Sequence, residues 1–238
     1  MLHRFRSLRP FLQVVVQLKK HGSPTVEGFT DNDNDAKQII AFNDALKTLL
    51  QTQPAKPSTC EPLYFKLLPT PLGPMLAMAE KRGLVMLEFL DRPILMREVE
   101  ELRSRYGYLI EAGEPLHLLQ IEDELKRYFD GSLTRFEVPL HTPGSIFQNQ
   151  VWEALRQVPY GTTCTYGEIA LLLGKPGASR AVGLANGSNR MSIVLPCHRV
   201  IGADGSLTGY GGGKSRKEFL LRLERVTLQI AEQGQLAF

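Results

Sequence analysis

The 238-residue chain is poor in cysteine, with three, at positions 60, 164 and 197. The count is odd and no two are spaced C-x-x-C. That argues against a disulfide framework and a cysteine zinc site, and makes the reducing cytoplasm the expected compartment. Long apolar runs are missing too: nothing approaches the about 18 consecutive apolar residues that cross a bilayer, so no membrane partner is expected. The first 20 residues carry Arg4, Arg6 and Arg9 ahead of a short apolar run, without the longer run and small-residue cleavage site of a signal peptide. Charge of one sign is scarce, at 28 Lys+Arg against 25 Asp+Glu, so any affinity for nucleic acid must come from local charge. The polar cluster at 30–35 holds only Asp31, Asp33 and Asp35. It lacks the glycine and closing glutamate of a calcium loop and reads as a solvated turn. Gly213-Lys214-Ser215 has no glycine five residues before Gly213, which removes the phosphate-loop reading. No metal and no cofactor is expected.

What is present is ordinary globular composition, 43% hydrophobic and 22% charged, at a length suited to one large or two modest domains. Residues 1–62 read as an amino-terminal extension. An Asp35 cap would start a helix at Ala36, with Ile39, Ile40, Phe42, Ala45, Leu46, Leu49 and Leu50 at helical spacing, and Pro54, Pro57 and Ser58 make a linker. Residues 39–57 resemble the last helix and exit of an AraC-type DNA-binding module; a plain helical extension satisfies the same pattern.

Residues 63–141 read as a small α/β scaffold domain. Strand-like runs at 63–68, 75–79 and 84–90 are separated by turns at 69–74 and 80–83. A helix near Pro93 has Leu95, Val99, Leu102 and Tyr106 on one face. A second, over 114–129, has Leu118, Leu119, Ile121, Leu125 and Phe129, and ends at Asp130-Gly131. Catalytic residue types do not cluster here, and His117 reads as a surface residue.

From 142 to 238 the signals change to a helical domain. Ser145 caps a helix with Phe147, Val151, Trp152 and Leu155 on one face. A short extended piece at 162–165 precedes a helix over 166–173 with Ile169, Leu172 and Leu173 buried. After a Gly-containing turn, Ser179 caps a second helix to about Asn186. Helix, tight turn, helix is the helix-turn-helix arrangement, making the fold class α+β: an α/β domain plus a helical carboxy-terminal domain. The second helix is rich in small residues, which lets its backbone approach a narrow groove, or simply lets helices pack closely. No acidic residue falls between Glu168 and Asp204, where Lys175, Arg180, Arg190 and Arg199 lie, a one-signed patch of the kind that suits phosphates. Downstream, a glycine-rich loop carries Tyr210, and Ser215 caps a last helix with Phe219, Leu220, Leu223 and Val226 on its apolar side, beside Glu224.

Ile193-Val194-Leu195 reads as a short buried strand ended by Pro196, which delivers Cys197, His198 and Arg199 at the edge of the core. A thiolate is the reactive form of cysteine, and a neighbouring base or cation lowers the ordinary thiol pKa of about 8.5. A buried structural cysteine satisfies this stretch alone equally well.

Pro196-Cys197-His198-Arg199-Val200, with Asn189 before it and Gly209-Tyr210-Gly211 and Leu220-Leu221-Arg222-Leu223-Glu224 after it, closely resembles the O6-alkylguanine-DNA alkyltransferases. The resemblance spans 63–226 and is dense from Phe147 to Glu224. It implies direct-reversal DNA repair, in which an alkyl group moves irreversibly from O6-alkylguanine, and from O4-alkylthymine as a further substrate, to Cys197. It also implies a single turnover, double-stranded DNA as partner and a monomeric protein. By the same resemblance His198 is the base, acting through water, Glu224 polarises it, and Asn189 braces the active-site turn. Arg180 fills the gap left by the extruded base, Tyr166 pushes on the target phosphate, and Tyr210 hydrogen-bonds the flipped guanine. Backbone groups of Val200 and Gly211 complete the pocket. Arg190 stands where many members have proline, and Gly211 where some have serine. The zinc site of animal members has no counterpart here.

The chemistry is coherent on its own terms, because an O6-alkyl carbon is buried in the base stack and must be flipped out before a thiolate can reach it. Three other readings compete: a lesion sensor that lacks the acceptor cysteine, a transcriptional regulator, and a cysteine hydrolase. The presence of Cys197 counts against the first. The hydrolase lacks an oxyanion motif and leaves the helix-turn-helix unexplained.

Overall fold

The strand-forming residues of the first half alternate only weakly, because the sheet they build is covered on both faces. The computed structural model describes residues 33–51 and 62–226. The amino-terminal basic segment, the 52–57 exit and linker prolines, and the carboxy-terminal tail lie outside the described residues. The chain divides into two compact units, 1–143 and 144–238.

In the first unit, β1 (Pro62–Leu68), β2 (Met75–Glu80), β3 (Gly83–Phe89) and β4 (Leu109–Ala112) form a mixed sheet in the order β3-β2-β1-β4. β1 pairs antiparallel with β2 and parallel with β4, and β2 pairs antiparallel with β3. Three helices accompany the sheet: α1 (Asp33–Gln51), α2 (Leu95–Ser104) and α3 (Leu116–Phe129). Ile39, Phe42 and Leu46 of α1 join Val99 and Leu102 of α2 in one core cluster with Leu63, Phe65, Leu76 and Met78 of the sheet. Strand alternation points Met75, Ala77 and Ala79 to the other face, and they are buried as well. α3 packs against β1, β2 and β3.

Two expectations change here. α1 begins at Asp33, not at an Asp35 cap: both aspartates lie in its first turn, where carboxylates suit the helix dipole, and Asp35 is buried. In α3, Leu119 is 46% exposed, while Tyr128 is fully buried. β4 carried no distinct sequence signal. Gly83 has φ +147°, and a Cβ there would come within 2.3 Å of the Pro139 carbonyl oxygen, so only glycine permits the Leu84–Leu140 bridge beside β3.

The second unit contains α4 (Ile146–Arg156), α5 (Tyr166–Leu172), α6 (Ser179–Gly187) and α7 (Lys214–Leu223). Two short strands, β5 (Cys164–Thr165) and β6 (Val200–Ile201), pair in parallel. Ser145 and Gln148 form a capping box at α4, as do Thr165 and Glu168 at α5. The Trp152 indole N–H donates to the Ala185 carbonyl at 2.9 Å, fastening α4 to α6. α6 also packs against α5, completing the helix-turn-helix.

Neither Ser179 nor Ser215 is a cap. The first helical bonds run from Val182 N–H to the Ala178 carbonyl and from Lys217 N–H to the Gly213 carbonyl, so both serines fall inside their helices. Leu172 is 67% exposed rather than buried. In α7, Phe219 is 41% exposed, and Leu220 and Leu221 supply the buried side. Among the described residues no helix is long and apolar enough to cross a membrane, and no three His, Cys, Asp or Glu side chains cluster as metal ligands.

Candidate active site

Ile193, Val194 and Leu195 are buried, as their apolar character requires, but they are not a strand. The chain turns tightly through them. Val194 N–H bonds the Ser192 carbonyl at 2.9 Å around Ile193, whose φ is +74°. A β-branched residue at positive φ costs about 1–3 kcal/mol and persists only where its surroundings enforce it. The enforcing group is Asn189. Its side-chain oxygen accepts from Met191 N–H at 2.9 Å, and its amide nitrogen donates to the Leu195 carbonyl at 3.0 Å. These bonds replace a strand neighbour in satisfying the buried backbone.

Pro196, at φ −77° and ψ 58°, then makes an inverse γ-turn, with Cys197 N–H bonding the Leu195 carbonyl at 2.7 Å. Cys197 therefore opens a 3-10 turn, Cys197–Arg199, and is not extended. The same Asn189 amide reaches the Cys197 sulfur at 3.1 Å. A donor at that distance stabilises a thiolate.

His198 and Glu224 are both fully buried, and His198 Nε2 lies 2.8 Å from Glu224 Oε1. Arg199 grips the same carboxylate from two sides, Nε to Oε2 at 2.8 Å and Nη2 to Oε1 at 2.9 Å. Burial works to raise the Glu224 carboxyl, but the hydrogen bonds from His198 and Arg199 prevail and hold it at about 2. Burial pushes His198 below its ordinary value against the pull of Glu224. The consistent state is a charged Glu224 paired with Arg199 and a neutral His198 donating from Nε2. That tautomer leaves the lone pair on Nδ1, which is buried and has no hydrogen-bond partner among the described residues. The site thus holds a base next in sequence to a thiol.

Gly161, at φ +76°, closes the turn behind this cluster; its N–H approaches Glu224 Oε2 at 3.4 Å, and a Cβ there would lie 3.0 Å from the Glu224 carbonyl oxygen. Tyr160 donates its hydroxyl to the Leu223 carbonyl at 3.1 Å.

The Tyr210 ring stands edge-on to His198, with centroids 6.4 Å apart and planes at 79°. Val200 uses its N–H on the Cys197 carbonyl, and its own carbonyl accepts from Lys217. Gly211 is exposed one residue beyond Tyr210. The fold thus brings Cys197, His198, Glu224, Asn189, Val200 and Tyr210 together. Tyr166, first residue of α5, joins this group through its hydroxyl, 3.0 Å from Thr208 Oγ1. Arg180 is exposed in the first turn of α6, alongside Ala181 and Leu184. Arg199, counted at first in the phosphate-facing patch, is instead consumed by Glu224. Lys217 and Thr208 carried no sequence signal of their own: a lysine after a glycine-rich loop reads as surface.

Comparison with known proteins gives a consistent result. Residues 63–142 match the family model described as 6-O-methylguanine DNA methyltransferase, ribonuclease-like domain, and residues 146–226 match 6-O-methylguanine DNA methyltransferase, DNA binding domain. A methylated-DNA–protein-cysteine methyltransferase of Methanosarcina barkeri is 42% identical over 70% of this chain and 100% of its own length. One from Mycobacterium tuberculosis is 44% identical over 68% of this chain and 93% of its own. The crystal structure of Mycobacterium tuberculosis OGT in complex with DNA superposes with a TM-score of 0.59 at 44% identity, covering 68% of this chain and 92% of that one.

Proposed function

Because the chain belongs to the 6-O-methylguanine DNA methyltransferase family, we propose that Cys197 accepts the alkyl group, with His198, Glu224 and Asn189 activating it. The family activity is repair of alkylated DNA by methyl transfer to a protein cysteine. The observation that carries the residue assignment is the Glu224–His198 bond, which fixes a basic Nδ1 on the residue following the thiol.

In this reading the Cys197 proton passes through a bridging water to His198 Nδ1, and the Asn189 amide steadies the thiolate. Sulfur attacks the O6-alkyl carbon. The S–C bond forms as the C–O6 bond breaks, and the electron pair leaves with guanine, where the Tyr210 hydroxyl meets the developing charge. The product is a thioether, so each molecule acts once. The partner is double-stranded DNA with the damaged base extruded, which requires a helix that fits the duplex closely. In this reading α6 presents Arg180 and small side chains for that contact, and Tyr166 presses on the target phosphate.

Incubating the protein with a duplex containing O6-methylguanine is expected to add one methyl group to the peptide bearing Cys197, read by mass spectrometry. An unmodified Cys197 on bound duplex would overturn the assignment. Arg180→Ala separates DNA handling from chemistry: repair of the duplex should slow by about tenfold or more, with the reaction toward free O6-benzylguanine largely retained. Equal losses on both substrates would take Arg180 out of base extrusion.

A further inference from the structure

Tyr166 sits between two elements that must act together on an extruded base. Its backbone opens α5 behind the Thr165–Glu168 capping box. Its ring stands beside Gly183 of α6, where an added Cβ would meet ring carbon Cδ1 at 3.8 Å. Gly183 comes three residues after Arg180, so the two share a face of that helix. The Tyr166 hydroxyl lies 3.0 Å from Oγ1 of Thr208, which stands two residues before Tyr210. One phenol ring therefore joins the helix proposed to meet the duplex to the loop proposed to receive the guanine.

The Thr208 hydroxyl is not needed to hold its own loop. Thr208 N–H bonds the Ser206 carbonyl at 3.0 Å, the Thr208 carbonyl accepts from Lys217 at 3.3 Å, and Gly202 N–H bonds the Ser206 carbonyl at 2.9 Å. Packing aims the hydroxyl instead. The methyl on the same Cβ lies against Gly202, where an added Cβ would come within 3.3 Å of Thr208 Cγ2, and a β-branched side chain so seated keeps one rotamer.

A count of protons sets the direction of the Tyr166–Thr208 bond when DNA is present. A phosphate oxygen only accepts, and a phenol has a single proton. Tyr166 can donate to a phosphate only by not donating to Thr208, and their bond then survives with the threonine hydroxyl as donor. Donation into the phenol oxygen polarises its O–H and strengthens the bond onward.

We propose that Thr208 is a positioning residue for base extrusion, its hydroxyl donating into the Tyr166 phenol oxygen and aiming the Tyr166 proton at the target phosphate. The inference rests on the proposed reading of Tyr166 as the phosphate contact.

The test compares methyl transfer to Cys197 from a saturating O6-methylguanine duplex with benzylation by free O6-benzylguanine, which needs no extrusion. Thr208→Val keeps the methyl on Gly202 and lacks the hydroxyl. Its duplex rate should fall about fivefold while its free-base rate stays within about twofold of wild type. Thr208→Ser, which keeps the hydroxyl, should hold the duplex rate to within about twofold of wild type. Tyr166→Phe should lose at least as much on the duplex as Thr208→Val, and combining the two should cost nothing more.

A Thr208→Val chain with the wild-type duplex rate overturns the proposal, as do equal losses on both substrates, a slow Thr208→Ser, or losses that multiply in the double variant. Should Thr208→Val fail to fold, Thr208→Ala removes the same hydroxyl and carries the same expectations. Tyr166→Phe at the wild-type duplex rate overturns the phosphate role of Tyr166 and this inference with it; the other outcomes bear on Thr208 alone.

Discussion

Cys197→Ser is expected to bind a duplex containing O6-methylguanine as tightly as the wild-type chain and to transfer methyl slower by roughly four orders of magnitude or more. The two halves of that result have different physical sources. In the proposed reading binding is carried by α6 and Arg180, whose exposed face the substitution leaves alone. Transfer needs an anionic nucleophile, and a serine hydroxyl ionises so far above neutrality that a neutral imidazole cannot take its proton to a useful extent. The Asn189 amide, 3.1 Å from sulfur, donates as readily to a hydroxyl, so the turn should hold its shape. Binding is read by electrophoretic mobility shift and transfer by mass spectrometry of the Cys197 peptide. Loss of both together would mean that the thiol holds the fold, and retention of transfer would move the acceptor elsewhere.

The sequence singled out the Cys197 stretch but misread its geometry. Three apolar residues before a proline satisfy a strand pattern, yet a strand needs a neighbour, and here the Asn189 side chain stands in for one, accepting from Met191 N–H and donating to the Leu195 carbonyl. Nothing in local hydrophobicity distinguishes the two solutions. The positive φ of Ile193 is still less legible, since local preference opposes it. The same limit explains the capping errors: Ser179 and Ser215 have suitable side chains, but the first helical bonds begin at Ala178 and Gly213.

Helix faces were read well where tertiary packing follows the period, as at Val151, Trp152 and Leu155 of α4, and poorly where an apolar residue continues the period onto the surface, as at Leu172. The placement of α1 was beyond local reasoning. Ile39, Phe42 and Leu46 do form one face, but only the assembled core shows that the sheet covers it. Among site residues, spacing and family resemblance pointed to Cys197, His198, Asn189 and Glu224. The burial of Arg199 and Lys217 was missed because charged side chains signal solvent until a buried partner is seen. One of those partners, Glu224, lies 25 residues from Arg199 in sequence.

That buried partnership sets up the second large effect. Glu224→Gln should destabilise the protein by about 3–5 kcal/mol, because it leaves the Arg199 guanidinium buried against a neutral amide. It should also slow methyl transfer, since His198 loses the carboxylate that holds its proton on Nε2. The pH dependence gives the sign. The Glu224 carboxyl sits at about 2 in the folded chain, below its unfolded value, so its stabilisation is complete above about 4.5 and is lost as pH falls toward 2. His198 is also lowered, so the folded state resists its protonation, and stability falls further as pH drops below about 6.5. Urea unfolding across this range should show the wild-type chain losing stability steadily on the acid side and Glu224→Gln starting lower, with the Glu224 part of the slope gone. Adding Arg199→Met to Glu224→Gln removes the stranded charge and should recover much of the stability without recovering transfer, because His198 still lacks its partner. A double variant that regained both would reduce Glu224 to a counter-ion for Arg199. One that regained neither would mean that the bond to His198, rather than the ion pair, holds this part of the fold.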